Sequence, residues 1–210
     1  GSLVHVPGAA LTASAGPVDA RSVLNFQLAD AEFRARLLQG PRHWVNGGLG
    51  LRYAHLDQRF SQTGEFGGGL GGLIVTQADI DFDGGGPRLS LDGGRTLGSR
   101  GLSLYGRSSL SPMTGQFRSS YSLRNEDTDA QLALVNWKDD RITTLLDYEV
   151  GVAWVGPRQR WRFSAGYTQA FWFNAVTTAE YIDAVQTSDY GGMSDTIMLN
   201  GLTARVEHLW

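Results

Sequence analysis

The chain has 210 residues, a formal net charge of -3 and no cysteine. That length suits one domain, the mixed charge leaves no basic footprint for nucleic acid, and disulfides, zinc-thiolate clusters and thiol nucleophiles are excluded. Glycine (28) far outnumbers proline (6) and aromatics reach 10%, which points to ordered strands that bend and pack closely rather than to disorder.

No run of about 18 apolar residues offers a transmembrane helix. Period-2 alternation dominates instead, and it predicts seven strands near 23–37, 43–60, 73–97, 102–118, 142–155, 161–174 and 197–210. In the first, the apolar set changes side around Leu28 and Ala29. The second sets Val45, Leu49, Leu51 and Tyr53 against Asn46, Gly48, Gly50 and Arg52. The third changes side at Gly84, Gly85 and Gly86, between Phe82 and Leu89. A β-bulge or glycine kink is the expected cause of both switches. The fourth alternates less cleanly. The fifth is the clearest, with Ile142, Leu146, Tyr148, Val150, Val152 and Trp154 opposite Thr143, Asp147, Glu149 and Gly151. The sixth and seventh repeat it, with Trp161, Phe163 and Tyr167 opposite Arg162, and Leu202, Val206 and Trp210 opposite Arg205 and Glu207.

The connections add orientation. Short turns at 39–42, 98–101 and 156–160 alternate with long segments at 61–72, 119–141 and 175–196. Short periplasmic turns and longer external loops are the rhythm of an outer-membrane β-barrel. The fold class expected is therefore all-β, an antiparallel transmembrane barrel over residues 21–210, with 1–20 an extracellular lead-in. Complete bacterial barrels have an even strand number. Seven visible strands thus predict the C-terminal part of a larger even-stranded barrel, or an eighth strand hidden in 119–141 around Gln131 to Trp137.

Several stretches resemble the Legionella-type major outer-membrane protein family of pore-forming barrels. The most specific is GGGPRLSLDG (84–93) followed by GLSLYGR (101–107). LNFQL (24–28) with GGLGLRY (47–53) resembles the preceding hairpin, and SAGY (164–167), AFWFN (170–174) and LNGL (199–202) resemble the last two strands. The resemblance spans residues 20 to 210 in order. It implies a bacterial outer-membrane location and a porin-like pore for ions and small hydrophilic solutes. The alternative is a non-conducting barrel acting as envelope anchor or surface adhesin. Trp210 stands where a terminal Phe is common, so its aromatic end still resembles the signal read by the barrel-insertion machinery.

Parity places Arg52, Arg88, Asp92, Arg107, Asp147, Glu149, Arg162, Arg205 and Glu207 inside, because charges cannot face lipid near the midplane without a cost, about 2–4 kcal/mol for each Arg or Lys. Asp30, Glu32, Arg34 and Arg36 share that face. In a wide barrel such charges line a wet pore; in a narrow one, Arg–carboxylate pairs interlock across the lumen. Tyr53, Trp154, Trp161, Phe171 and Trp210 suit the membrane interfaces. Asp79, Asp81 and Asp83 open like an EF-hand loop, but Ser90 replaces the twelfth-position acid; they are expected to be rim charges. The acidic stretch 125–129 is expected to be a solvated loop. His5, His43, His55 and His208 lack zinc spacing and no His–Ser pair stands out, so neither enzyme activity, nor a metal, nor a cofactor is expected. Outer-membrane lipid and lipopolysaccharide are the expected surroundings, and a homo-oligomer is left open.

Overall fold

The structure is a computed structural model that describes residues 12–67, 72–98, 101–156 and 160–208, without the side chains of 12–17. Its elements are β1 (Thr12–Gln39), β2 (His43–Gly67), β3 (Gly72–Leu97), β4 (Leu102–Asn125), β5 (Ala130–Val155), β6 (Trp161–Ala175), α1 (Thr178–Thr187) and β7 (Asp195–His208). The strands form one sheet in chain order, every neighbouring pair antiparallel. The sheet curls into a half-barrel. β1 and β7 are its edges, and they run in the same direction.

Three expectations change. The lead-in expected to reach residue 20 gives way to strand at Thr12, while residues 1–11 lie outside the described residues. The long loops expected at 61–72 and 119–141 are mostly strand: β2 and β3 stay paired out to Phe66 and Gly72, and β4 and β5 out to Asn125 and Ala130. Gln131 to Trp137 belongs to β5 and forms no eighth strand. The acidic stretch is the tight β4–β5 turn. There the Asn125 side chain accepts from the Asp127 and Thr128 amides at 3.0 and 3.2 Å, and Asp129 takes a positive φ of 57°, a local hydrogen-bonding pattern that Asn and Asp favour. Only 175–196 is a true long connection, and it contains α1.

The third change concerns the side switches. Neither is a bulge: the register of β1 with β2 is unbroken from Val18 to Arg36, and that of β2 with β3 is unbroken throughout. On β3 the even positions face inward along the whole strand, from Ile74, Ala78, Ile80 and Phe82 to Arg88 and Asp92. The odd positions face outward, from Gln77, Asp79 and Asp81 to the exposed Leu89 and Leu91. The strand keeps its parity and the surroundings change. In the lower half the apolar side chains point out, as a bilayer requires. In the upper half they point in, to a core that excludes water. Gly84 and Gly115 pair directly and leave room for the Phe82 ring, which a Cβ at either position would strike. The glycines make space for that ring.

The outward apolar belt is continuous across the lower half: Phe33, Leu49, Leu51, Leu89, Leu104, Val150, Val152, Leu202 and Val206 are all exposed. Above Tyr53 the outward side of β2 turns polar, with His55, Asp57 and Arg59. Two outward positions on β3 therefore respond differently to one charge. Leu89→Arg should lower unfolding stability in lipid by about 2–4 kcal/mol. Gln77→Arg should stay within about 0.5 kcal/mol of the parent. Denaturant titration of the protein in vesicles measures both, and equal costs would contradict the account of the switch.

Candidate functional site

The lower concave face gathers the inward charges into a cross-linked network. Arg52 on β2 is buried and forks onto Asp30 of β1, Nε to Oδ1 at 2.7 Å and Nη2 to Oδ2 at 2.8 Å. Its Nη1 reaches Asp147 on β5 at 2.6 Å, a contact that crosses the hollow of the sheet. Arg88 on β3 donates to Glu32 of β1 at 2.8 Å and to Ser109 of β4 at 2.5 Å, and Ser109 donates to Asp147 at 2.6 Å. Arg34 also pairs with Glu32. Lower down, Arg205 on β7 grips both oxygens of Glu149 on β5 at 2.5 and 2.7 Å, with Tyr105 donating to the same carboxylate at 2.5 Å. Fork-shaped guanidinium–carboxylate pairing is stronger than neutral hydrogen bonding and fixes orientation.

Parity alone assigned these side chains to one face, and the structure brings Arg52, Arg88 and Asp147 into one network with Asp30 and Glu32. Arg107 and Asp92 sit beside it as direct partners across β3 and β4, yet no ion pair joins them. Arg162 and Glu207 form a separate pair at 3.6 Å, near the lower rim. Tyr105, Ser109 and Thr203, which join the network, were not singled out by sequence. Their alternation is the same as that of the charges, so position was available and role was not. Between the network's parts lies a cavity of about 170 Å³, bordered by Arg34, Asp92, Arg107, Asp147, Glu149 and Arg205.

The aromatic residues face outward at two levels. Tyr53 marks the upper limit of the belt, and Phe171 lies near it, stacked 6.1 Å from Tyr148. Trp154 stacks on Phe163 at 5.8 Å, and Trp161 meets His208 edge-on at 4.8 Å, both at the lower rim. Trp210 lies outside the described residues. Asp79, Asp81 and Asp83 face outward above the belt, where the Tyr53 hydroxyl and His55 Nδ1 each lie 2.8 Å from Asp83. Those two hydrogen bonds hold the Asp83 carboxyl below its ordinary range. Asp81, next to Asp57, is pushed up, by burial first and by the like charge second.

The upper concave face is chemically the reverse. Leu56, Ile80, Phe82, Phe117, Tyr121, Leu145 and Trp172 form a water-free wall, and α1 packs Tyr181, Ile182 and Val185 against it. β6 and β7 are 15 and 14 residues long against 24 to 28 for the others, and among the described residues it is the helix that covers that wall. Sequence carried a signal for it: Thr177 caps the helix by accepting from the Glu180 amide at 3.4 Å, a Thr-x-x-Glu start followed by apolar residues at helical spacing. Gln58 holds the lead-in by donating to Val176 O at 2.7 Å, and Arg141 donates to Met193 O at 2.6 Å.

Two predictions follow from this geometry. Arg52→Ala removes the nearer of the two cations shared by Asp30 and Asp147, leaving Arg88 at 3.5 and 3.6 Å, and should cost about 1–3 kcal/mol in unfolding stability; a loss well below about 1 kcal/mol would mean that water replaces the guanidinium freely. The second concerns Glu180, whose pKa is raised by burial first and by the neighbouring Asp195 charge after it. A raised folded-state pKa means that its stabilising share is complete below the unfolded value and is lost as pH rises through the folded one. Proteolytic cleavage within 175–195 should therefore slow as pH falls towards 4.5, and Glu180→Gln should flatten that dependence at the slow limit. An unchanged pH profile in the variant would assign the effect elsewhere.

A charged, hydrogen-bonded interior inside an apolar belt, in strands long enough to cross a bilayer, is the construction of an outer-membrane sheet. No helix among the described residues is long and apolar enough to cross a membrane, so crossing here is the work of strands. The family model described as Legionella pneumophila major outer membrane protein precursor matches residues 8–201. Neither the curated proteins nor the solved structures contain a match to the chain. With nearly its whole length matched and the strands arranged as such a location demands, the chain belongs to the Legionella major outer membrane protein family, proteins of the bacterial outer membrane.

Proposed function

We propose that the protein forms a narrow hydrophilic path for ions and small polar solutes, with α1 restricting its external mouth. The observation that carries this reading is the polar cavity of about 170 Å³ at the depth of the apolar belt. A barrel that served only as an anchor would gain stability from an apolar or fully interlocked interior at that depth. Buried charge with room for water beside it is costly and is retained where solutes pass. No chemical step is involved. The path exchanges part of a solute's hydration for contacts with Arg88, Arg107, Asp147, Glu149 and Arg205. Near-balance of inward Arg and carboxylate predicts weak ion preference. Lipopolysaccharide is the partner for the outward polar rows above Tyr53, where Arg59, Arg118 and Lys138 alternate with carboxylates.

A second reading rests on α1. Tyr181 and Trp172 are almost wholly buried, so the upper concave face is dry, and a barrel sealed there would be a non-conducting anchor that displays its tall β2–β5 wall.

Single-channel recording of protein extracted from outer membranes separates the two. Discrete ohmic steps are expected, and they should grow in Ile182→Asp, which drives a charge into the seat of α1 and releases the helix. Circular dichroism and vesicle flotation identify the folded, inserted fraction. Folded, inserted protein that stays silent in both forms would sink the pore and leave the anchor.

A further inference from the structure

The charges around the lower cavity are not equally occupied. Arg205 is taken up by Glu149, Arg88 by Glu32 and Ser109, and Asp147 by Arg52 and Ser109. Two opposite charges are left over. Asp92 is only 7% exposed; its Oδ2 accepts from Asn46 at 3.1 Å while its Oδ1 is buried with no hydrogen-bonding partner among the described residues. Arg107 Nε and Ser90 Oγ are buried and unpartnered in the same sense. Arg107 and Asp92 are direct cross-strand partners, which sets their Cα atoms about 4.5–5.5 Å apart. They do not close on one another, and the Arg107 guanidinium lies 5.4 Å from the Tyr105 ring centroid instead. A donor and an acceptor, each buried and each unanswered, thus stand side by side on the wall of one cavity. Unanswered buried polar atoms are costly and rare.

We propose that this cavity is a binding site for a small zwitterion bearing a carboxylate and an ammonium on one carbon, the chemistry of a free α-amino acid with a short side chain. The carboxylate takes the Arg107 guanidinium and the ammonium takes Asp92 Oδ1, with Ser90 beside it. A lone anion would meet the Asp92 charge and a lone cation the Arg107 charge, so a molecule with only one of the two ends is discriminated against. The volume of about 170 Å³ limits the side chain to a few atoms. The proposal rests on the pore reading only in making the bound zwitterion a passenger; binding itself needs no conduction.

The test is calorimetric titration of detergent-solubilised protein from outer membranes with serine, acetate and methylammonium as probes. Serine should bind about tenfold or more tightly than either single-ended probe, as expected when a charged hydrogen bond is lost. Arg107→Gln should weaken serine about tenfold, with Arg107→Lys intermediate, and Asp92→Asn should erase the preference of serine over acetate. Circular dichroism of each variant confirms the fold, and the serine-to-acetate ratio in the parent stands even where a variant does not fold. Absence of serine binding, equal binding of all three probes, or serine binding untouched in folded Arg107→Gln would overturn the site and leave a chamber of water. Conduction without serine binding removes the site and keeps the pore; serine binding without conduction does the reverse.

Discussion

The same strands pass through two solvents, and everything else in the structure follows from that constraint. Below Tyr53 the outer surface meets hydrocarbon, so apolar side chains point out and charges must point in. Above it the outer surface meets water, so charges point out and apolar side chains turn inward to form a core. Strands β2 and β3, whose parity is unbroken, therefore carry an inner face that is polar at one level and apolar at the next. Neither inner surface is stable uncovered. The polar one cross-links itself through Arg52, Arg88 and Arg205, and the apolar one recruits α1.

The two solutions differ in what they cost and what they permit. Guanidinium–carboxylate pairs fix orientation but lose hydration when buried, so their net stabilisation is modest. They also need geometry that a curled sheet supplies imperfectly, which leaves Arg107 and Asp92 unmatched and a cavity between them. The apolar seat of α1 rests on burial instead. Burying side chains such as Ile182 and Val185 contributes about 1.5–3 kcal/mol each, with a few hydrogen bonds such as Gln58 to Val176 O fixing the direction of entry. In the proposed pore, the lower level meets the solute and the upper level restricts access to it.

Much of the fold was legible because alternation is a local property. Leu49, Leu51 and Tyr53 against Arg52, or Val150 and Val152 against Asp147 and Glu149, announce a two-faced strand without reference to any neighbour. The side switches were legible too, yet their cause was not. Alternation shows which residues share a face and is silent on what each face touches, so the change at Gly84 to Gly86 read as a kink. Strand length was underestimated for the same reason: β4 beyond residue 118 and β5 from Asn136 to Asp140 carry polar outward residues, which resemble a loop until the partner strand is present.

By itself the sequence determined the seven antiparallel strands, the inward assignment of Arg52, Arg88, Asp147, Glu149 and Arg205, and the family, because period-2 patterning and ordered short motifs are encoded residue by residue. Only the tertiary structure decided that Arg52 reaches Asp147 from β2 to β5, that Arg107 and Asp92 stay apart, and that α1 sets Tyr181 against Trp137. Those are contacts between residues many positions apart. They depend on how tightly the sheet curls, a property of all seven strands together that no single stretch of sequence contains.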